Sequence, residues 1–272
     1  MLVLRLFADQ NSRCSPFSLH NILEAGEKPP GHWFGPASIC KPIITLLSSG
    51  RKNHFILDNL EVYLALDRVI CYKEMHALLG RTPETACSMR CQGHFCTLHT
   101  GKADPRDGKS FRQRPANRAM LLLIPVMLGS AKSIDISQLS TLFDFVKESA
   151  FVGILGGEPR RSIYICGLQD DKIIYLDPHL SQEFVDMSCD QFSAESYYSK
   201  IPKTLPAKKL DPSMTVGLYC KDSNELDDLC LRIKNGPMGQ IVQSCCNSNL
   251  AQQESLSETT FSDTSSFSEL EL

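Results

Sequence analysis

The stretch IIYLDPHLSQEFVD, residues 173–186, contains Asp177 and His179 at the end of an apolar, strand-like run. On extended backbone, side chains two positions apart leave the same face, so this carboxylate and this imidazole can converge. A carboxylate fixes the tautomer of a neighbouring imidazole and stabilises its protonated form, as in Cys-His-Asp and Ser-His-Asp catalytic sites. The spacing alone also fits a turn after a strand, with a solvated aspartate and an incidental histidine.

The sequence around this stretch predicts an α+β domain with a mixed, largely antiparallel sheet. Residues 162–176 contain two apolar runs separated by a polar Gln-Asp-Asp turn, which predicts a β-hairpin. Apolar runs predict further strands over residues 119–128, 151–159 and 214–220, and amphipathic patterns predict helices over residues 135–149 and 223–236.

The N-terminal part of the chain predicts a strand and then helices. LVLRLF, residues 2–7, is apolar and strand-like. A helix then begins with Ser15 as N-cap and Pro16 in its first position, and it ends at Gly26. A loop rich in proline and glycine carries Trp33, and a second helix follows that loop.

Composition along the chain predicts one domain with an insertion and a tail. Residues 1–240 form the expected domain, and within it residues 73–118 turn polar without any period, which predicts a variable loop. Residues 241–272 are rich in Ser, Thr and Glu and have few large apolar groups. They cannot bury enough surface to offset the entropy of ordering, so we expect a disordered tail.

Composition and charge exclude several functional classes. The chain has 272 residues, of which 42% are hydrophobic, and a formal net charge of -3. No stripe of Lys and Arg could follow a phosphate backbone, so nucleic acid is not an expected partner. The sequence shows no signal peptide and no apolar run near the about 20 residues that cross a bilayer, so we expect a soluble, cytoplasmic protein. In that compartment its 12 cysteines should be mostly reduced.

A cluster of cysteines and histidines offers a different, metal-based hypothesis. Cys87, Cys91, His94, Cys96 and His99 lie close enough in sequence to hold zinc in an interaction element. Their spacing matches no common zinc finger. We therefore expect no metal here and keep zinc binding as the weaker hypothesis.

Several ordered motifs together resemble one protein family. They are LFADQNSRCSPFSLHNILEAG, GHWFGPASIC, LLLIPVMLG, VGILGGEP, IIYLDPH and LDPSMTVGLYCKDSNELDDLC. In this order they resemble the autophagins, papain-like cysteine proteases that process and delipidate the ubiquitin-like modifier of autophagy. The resemblance runs from about Leu4 to Ile233 and weakens over residues 73–118.

The resemblance implies a site, a partner and no cofactor. Asp177 would orient the ring of His179, which would deprotonate a thiol, and Trp33 would lie over the point where the C-terminal glycine of the substrate enters. The loop that gates this groove would comprise Glu158, Pro159, Arg160 and Arg161. The implied partner is the modifier, as free precursor and as lipid conjugate, with peripheral contact to autophagic membranes. The implied protein is a monomer.

The resemblance also implies a missing element. In the autophagins the nucleophile lies in a WGCM-like motif on a helix well upstream of the tryptophan loop, and no such motif occurs here. We therefore expect a papain-like fold without its N-terminal nucleophile helix. Cys14 is the candidate substitute, because the end of the helix predicted at Pro16 could stabilise a thiolate, although an ordinary thiol is favoured. The alternative function is an inactive form that binds the modifier without cutting it.

The C-terminal segment SDTSSFSELEL, residues 262–272, suggests a second contact with the same partner. Phe267 and Leu270 are an aromatic and an aliphatic residue three apart among acidic and hydroxyl residues. This resembles the short linear motif that adds a strand to the autophagy modifier and fills two pockets with its side chains. The segment is therefore a predicted partner-binding motif.

Overall fold

The computed structural model describes residues 2–80, 118–130, 133–187, 191–199 and 201–244. The α-helices are α1 (Leu2–Arg5), α2 (Leu19–Ala25), α3 (Cys40–Gly50), α4 (Tyr72–Leu78), α5 (Leu139–Lys147) and α6 (Ser223–Asn235). Short 3-10 helices cover Phe55–Asn59, Ile136–Gln138, Glu195–Tyr197, Ala207–Lys209 and Pro237–Gln240. Among the described residues, none of these helices has the length and apolar character needed to cross a membrane.

The strands form one large sheet and two small ones. They are β1 (Leu60–Leu64), β2 (Val69–Ile70), β3 (Ala119–Met127), β4 (Gly129–Ser130), β5 (Ser133–Ile134), β6 (Phe151–Glu158), β7 (Arg161–Gln169), β8 (Lys172–Leu176), β9 (Lys203–Pro206), β10 (Ser213–Cys220) and β11 (Gln243–Ser244). The seven-stranded sheet has the order β1-β3-β10-β6-β7-β8-β9. Only β1 and β3 pair in parallel in this sheet, as described, so the predicted mixed and largely antiparallel sheet is confirmed.

Helices pack against both faces of this sheet. Along β3, Leu122 and Ile124 are buried in a large cluster that also contains Phe145 of α5. Leu123 lies between them and belongs to a separate cluster with Cys40 of α3. Successive side chains of a strand point to opposite faces, so α3 and α5 lie on opposite sides of the sheet. This burial on both faces explains why the sequence of β3 is almost continuously apolar.

Helix α6 forms where the sequence predicts it, because two carboxylate side chains accept hydrogen bonds from backbone nitrogens at its N-terminus. The carboxylate of Asp222 accepts a hydrogen bond from the backbone nitrogen of Glu225 at 3.0 Å. The carboxylate of Glu225 accepts one from the backbone nitrogen of Lys221 at 2.8 Å, which completes a reciprocal cap. The buried face of the helix consists of residues three and four apart, namely Leu226, Leu229 and Ile233.

The predictions for the start of the chain need correction. Residues 2–5 form a helical turn rather than a strand, since a short apolar run fits both periods and Leu6 here accepts a hydrogen bond from Phe17. Helix α2 begins at Leu19 with Ser18 as its N-cap, and not at Pro16. The hydroxyl of Ser15 instead accepts a hydrogen bond from Nε2 of Gln10 at 3.0 Å and donates one to the carbonyl oxygen of Arg5 at 2.9 Å.

Two predicted boundaries also move. Residues 73–78 of the predicted loop lie in α4, where Met75 and His76 are fully buried, while residues 81–117 lie outside the described residues. At the other end, Val242 is 2% exposed and β11 pairs in parallel with β2. The folded part therefore includes residues 241–244 of the predicted tail, and residues 245–272 lie outside the described residues.

Candidate active site

The candidate site lies where β8 ends. Oδ1 of Asp177 is 2.9 Å from Nδ1 of His179 and accepts a hydrogen bond of 3.1 Å from the backbone nitrogen of the same histidine. The Asp177 side chain is 3% exposed, whereas the imidazole is 52% exposed. The structure thus brings the two predicted residues together. The aspartate holds the ring through Nδ1, and Nε2 forms no hydrogen bond within the described residues.

Both strands that flank β8 contribute a cation to the same carboxylate. Arg161, the first residue of β7, places Nη2 at 2.5 Å from Oδ2 of Asp177. Lys203, the first residue of β9, places Nζ at 3.3 Å from that oxygen. The antiparallel registers bring the starts of β7 and β9 beside the end of β8. The sheet topology therefore places Asp177 beside the cations of Arg161 and Lys203. Protonated His179 would be a third cation at the same carboxylate.

These contacts keep Asp177 ionised. The pKa of its carboxyl lies well below the ordinary value of 3.8. The largest cause is the hydrogen bond from the His179 side chain, followed by the one from its backbone nitrogen, and Arg161 and Lys203 act in the same direction. Burial acts the other way and is outweighed. At neutral pH the group is a carboxylate, which is the form that stabilises an imidazolium.

A tight turn between β6 and β7 carries the predicted gate residues. Glu158 pairs with Arg161 across the turn, and the two intervening residues are Pro159 and Arg160, whose φ of 67° lies in the left-handed region. A Cβ at Gly157 would lie 1.9 Å from the carbonyl oxygen of Arg161, so the close approach of β6 and β7 requires glycine there. Oε2 of Glu158 is 3.5 Å from Nη1 of Arg161.

The turn and the tryptophan loop line one cleft of about 250 Å³. Its lining residues are Trp33, Gly35, Pro36, Gly156, Gly157, Glu158, Arg160, Arg161, Ser162, Asp211 and Ser213. Four of the predicted substrate-binding residues, Trp33 and three from the turn, are therefore neighbours in space, and Pro159 is exposed on the same turn. Arg161 belongs to both the cleft and the Asp177 cluster, so the two features adjoin.

Lys28 anchors the backbone of the tryptophan loop. Nζ of Lys28 donates a hydrogen bond of 2.7 Å to the carbonyl oxygen of Trp33 and lies 4.9 Å from the ring centroid of Phe34. A Cβ at Gly26 would lie 2.5 Å from that ring, so the glycine makes room for it. Trp33 itself is 55% exposed. The loop therefore presents an exposed indole on an anchored backbone.

No hydrogen bond joins His179 to a cysteine within the described residues. The described cysteines are Cys14, Cys40, Cys71, Cys166, Cys220 and Cys230. Burial raises the pKa of Cys40 to about 11 and that of Cys220 to about 12, so both are protonated at neutral pH. Cys14 is exposed, but helix α2 begins only at Leu19, so the premise that a helix end activates this thiol is wrong.

The structure adds residues that sequence reasoning missed. Lys203 is 26 positions from Asp177 and sits in no motif. Asp211 lines the cleft and is held by a backbone hydrogen bond of 2.7 Å to Gly157, and no spacing rule connects the two positions. Asp211 lies within LDPS, a run that the resemblance contains but that carries no role there.

Two predicted elements lie outside the described residues. These are the possible zinc ligands Cys87, Cys91, His94, Cys96 and His99, and the tail motif with Phe267 and Leu270. In the part of the chain that the structure describes, no group of three or more His, Cys, Asp or Glu side chains could hold a metal ion.

Comparison with known proteins identifies the family. The family model described as the peptidase C54 catalytic domain matches residues 1–232. Cysteine protease ATG4B of Oryza sativa subsp. indica is 32% identical over 256 residues, which are 89% of this chain and 50% of that protein. Cysteine protease ATG4C of Mus musculus is 29% identical over 229 residues, which are 83% of this chain and 43% of that protein. The human protein of the same name is 30% identical over 210 residues, 76% of this chain and 39% of its own length.

The chain spans about half the length, or less, of the curated relatives it matches. The match covers the tryptophan loop, the β6–β7 turn and the Asp177-His179 pair, and it confirms the papain-like α+β fold expected from the motifs. The chain belongs to the peptidase C54 family, the autophagin cysteine proteases.

Proposed function

We propose that this chain provides the base and the substrate groove of an autophagy-related cysteine protease, with Asp177 as orienting carboxylate and His179 as base. One observation carries this proposal. A nearly buried carboxylate binds Nδ1 of a half-exposed imidazole at 2.9 Å, while Nε2 faces away from it. This is the geometry that activates a thiol, because the carboxylate fixes the tautomer in which Nε2 accepts the thiol proton.

The chemistry follows from that arrangement. His179 takes the proton of a cysteine thiol through Nε2, and Asp177 stabilises the resulting imidazolium. The thiolate sulfur bonds to the carbonyl carbon, the scissile C–N bond breaks, and the imidazolium gives its proton to the departing amine. Water then attacks the thioester with His179 again as base, which releases a carboxylate and restores the thiol.

The proposed substrate is the ubiquitin-like modifier of autophagy. A cleft of about 250 Å³, lined by an exposed indole and the glycines of β6, suits an extended C-terminal segment that ends in glycine, the residue without a side chain. Cleavage after that glycine would process the precursor, and attack on the same carbonyl would release it from phosphatidylethanolamine. The second reaction brings peripheral contact with autophagic membranes through the lipidated substrate. We propose that the chain acts as a monomer in the cytoplasm.

A second function, binding of the modifier without cleavage, is favoured by a specific observation. No hydrogen bond joins a described cysteine to His179, while Trp33 and the β6–β7 turn line a cleft of about 250 Å³. The motif with Phe267 and Leu270 would supply a further contact by strand addition to the modifier. In that case the chain would recruit or sequester the modifier.

One experiment separates these functions. The chain is incubated with a modifier protein that carries a C-terminal extension beyond its glycine, and cleavage and binding are measured together. The variants are His179→Ala, Trp33→Ala and the matched control His20→Ala, whose side chain is 55% exposed and lies outside the cleft. Cleavage that is lost in His179→Ala and kept in His20→Ala supports the enzyme.

The remaining outcomes are also decisive. Binding without cleavage, weakened by Trp33→Ala and unaffected by His179→Ala and His20→Ala, supports the binding protein. Neither binding nor cleavage by a folded chain contradicts both proposals. Cleavage that persists in His179→Ala contradicts the assigned base.

A further inference from the structure

The two oxygens of Asp177 have separate partners. Oδ1 receives both hydrogen bonds from His179, at 2.9 Å from the ring and 3.1 Å from the backbone. Oδ2 receives Arg161 at 2.5 Å and Lys203 at 3.3 Å. A carboxylate rotates about its Cβ–Cγ bond unless both oxygens are held. The cations therefore fix the plane of the carboxylate, and with it the direction in which Oδ1 presents itself to the imidazole.

Arg161 is also shared with the gate. Its guanidinium lies 3.5 Å from Glu158 through Nη1 and contacts Asp177 through Nη2, and the residue lines the cleft beneath Trp33. Two carboxylates therefore attract one cation: Glu158 lies at the end of β6, and Asp177 belongs to the Asp-His pair. A displacement of the turn by an entering peptide changes the share of the guanidinium that Asp177 receives.

We propose that Arg161 and Lys203 are positioning residues that orient His179 through Asp177, and that Arg161 couples the β6–β7 turn to this pair. This inference rests on the proposed function of Asp177 and His179. Lys203 keeps the carboxylate in place while Arg161 responds to the turn. Arg161 is thus more than the substrate contact that the resemblance implies.

A purely structural role does not explain this cluster. Arg161 is 43% and Lys203 is 40% exposed, and ion pairs of such exposed side chains typically add little to the stability of a fold. The same molecule contains a matched ion pair, in which Arg232, 45% exposed, lies 2.9 Å from Glu148, 7% exposed. Neither residue of that pair lines the Trp33 cleft, and no hydrogen bond joins either of them to a histidine among the described residues. It offers a control with the same surface chemistry.

The test follows the Asp177 carboxyl directly, by pH titration of its 13C resonance in the full chain. The variants are Arg161→Ala, Arg161→Lys, Lys203→Ala and Arg232→Ala. The charged groups around Asp177 are His179 on its own segment, Arg161 on β7 and Lys203 on β9, with Glu158 and Tyr175 acting on Arg161. We expect the pKa of Asp177 to rise toward its ordinary value in Arg161→Ala and in Lys203→Ala, and to remain low in Arg232→Ala and largely low in Arg161→Lys.

Modifier protein is then added to each sample. If Arg161 couples the turn to the pair, the Asp177 resonance shifts on binding in the wild-type chain and shifts less in Arg161→Ala. Where cleavage is measurable, Arg161→Ala lowers kcat by up to about a hundredfold through misplacement of the base, and Arg161→Lys restores part of it. A mere substrate contact would raise KM and leave kcat unchanged.

The inference fails if Asp177 titrates identically in the wild-type chain, in Arg161→Ala and in Lys203→Ala. It also fails if Arg232→Ala has the same effect as Arg161→Ala, because the change would then report general destabilisation. The pH titration of Asp177 requires neither cleavage nor binding by the wild-type chain. A failure of the proposed function would leave the titration intact, so the two failures are distinguishable.

Discussion

Glu61 and Asp177 are two nearly buried carboxylates, 7% and 3% exposed, and each lies against two basic side chains. They differ in how far those basic side chains are exposed to solvent. Glu61 receives Arg51 at 2.8 Å and also contacts Arg118, and these partners are 18% and 4% exposed. We call these three residues the closed cluster. It joins the end of α3 to β1 and to the residue preceding β3.

The cluster of Asp177, Arg161, Lys203 and His179 is the open cluster. Its cations are 43% and 40% exposed and its imidazole is 52% exposed. Both clusters bring a carboxylate and two cations together, but only the open one keeps its charges within reach of another molecule. The comparison teaches that the pairing of charges does not by itself mark a functional site, and that an exposed imidazole on the buried carboxylate sets the open cluster apart.

The largest effect on stability is expected in the closed cluster. Glu61→Ala leaves the guanidinium of Arg118 buried without its counter-charge, and breaking a buried pair in this way costs about 3 to 5 kcal/mol. Urea denaturation measures the loss. The control is Glu148→Ala, since Glu148 is equally buried but its partner Arg232 is exposed and can return to water. Equal losses in both variants would contradict the distinction between closed and open charges.

A smaller loss of stability is expected from Gly157→Ala, which changes the open cluster by moving the backbone of the β6–β7 turn. The new methyl group would overlap the carbonyl oxygen of Arg161, so the turn must shift at a cost of about 1 to 3 kcal/mol. The shift withdraws Arg161 from Asp177 and weakens modifier binding at the Trp33 cleft. Gly167→Ala is the control in the same hairpin, because its methyl group would meet Ile174 at an ordinary 3.6 Å. Equal stability of the two variants would contradict this geometry.

The smallest effect is expected from acid. The folded pKa of Asp177 lies below its ordinary value of 3.8, so its interactions stabilise the fold above about pH 4 and this contribution is lost as the pH falls further. Below about pH 4 the stability difference between the wild-type chain and Asp177→Asn should shrink as the pH falls. Urea denaturation at several acidic pH values checks this. A difference that grows below about pH 4 would contradict the sign.

Much of the sheet and part of the site can be predicted from the sequence. The hairpin of β7 and β8 follows from two apolar runs and a polar turn, and the convergence of Asp177 and His179 follows from their spacing on extended backbone. Elements with a single strong period and clear ends are predicted well, as α6 shows with its cap at Asp222 and its end at Asn235.

What the sequence does not show depends on distant contacts. Lys203 reaches Asp177 only because β9 pairs with β8, and Arg118 reaches Glu61 across 57 positions. No local pattern marks either contact. The apolar run at residues 2–5 is too short for its hydrophobic period to distinguish a strand from a helix, and the structure shows a helix there. Only the family resemblance points to Trp33. No sequence spacing predicts that Trp33 lies beside the β6–β7 turn.

The most direct test of the account compares cleavage of the extended modifier by the chain, by Asp177→Asn and by Arg232→Ala, each shown by denaturation to be folded. The account predicts that Asp177→Asn loses about 10⁴-fold in kcat, because the ring of His179 is held in the wrong tautomer, while Arg232→Ala keeps its rate. Cleavage by Asp177→Asn at the wild-type rate would contradict the proposal that His179, oriented by Asp177, is the catalytic base.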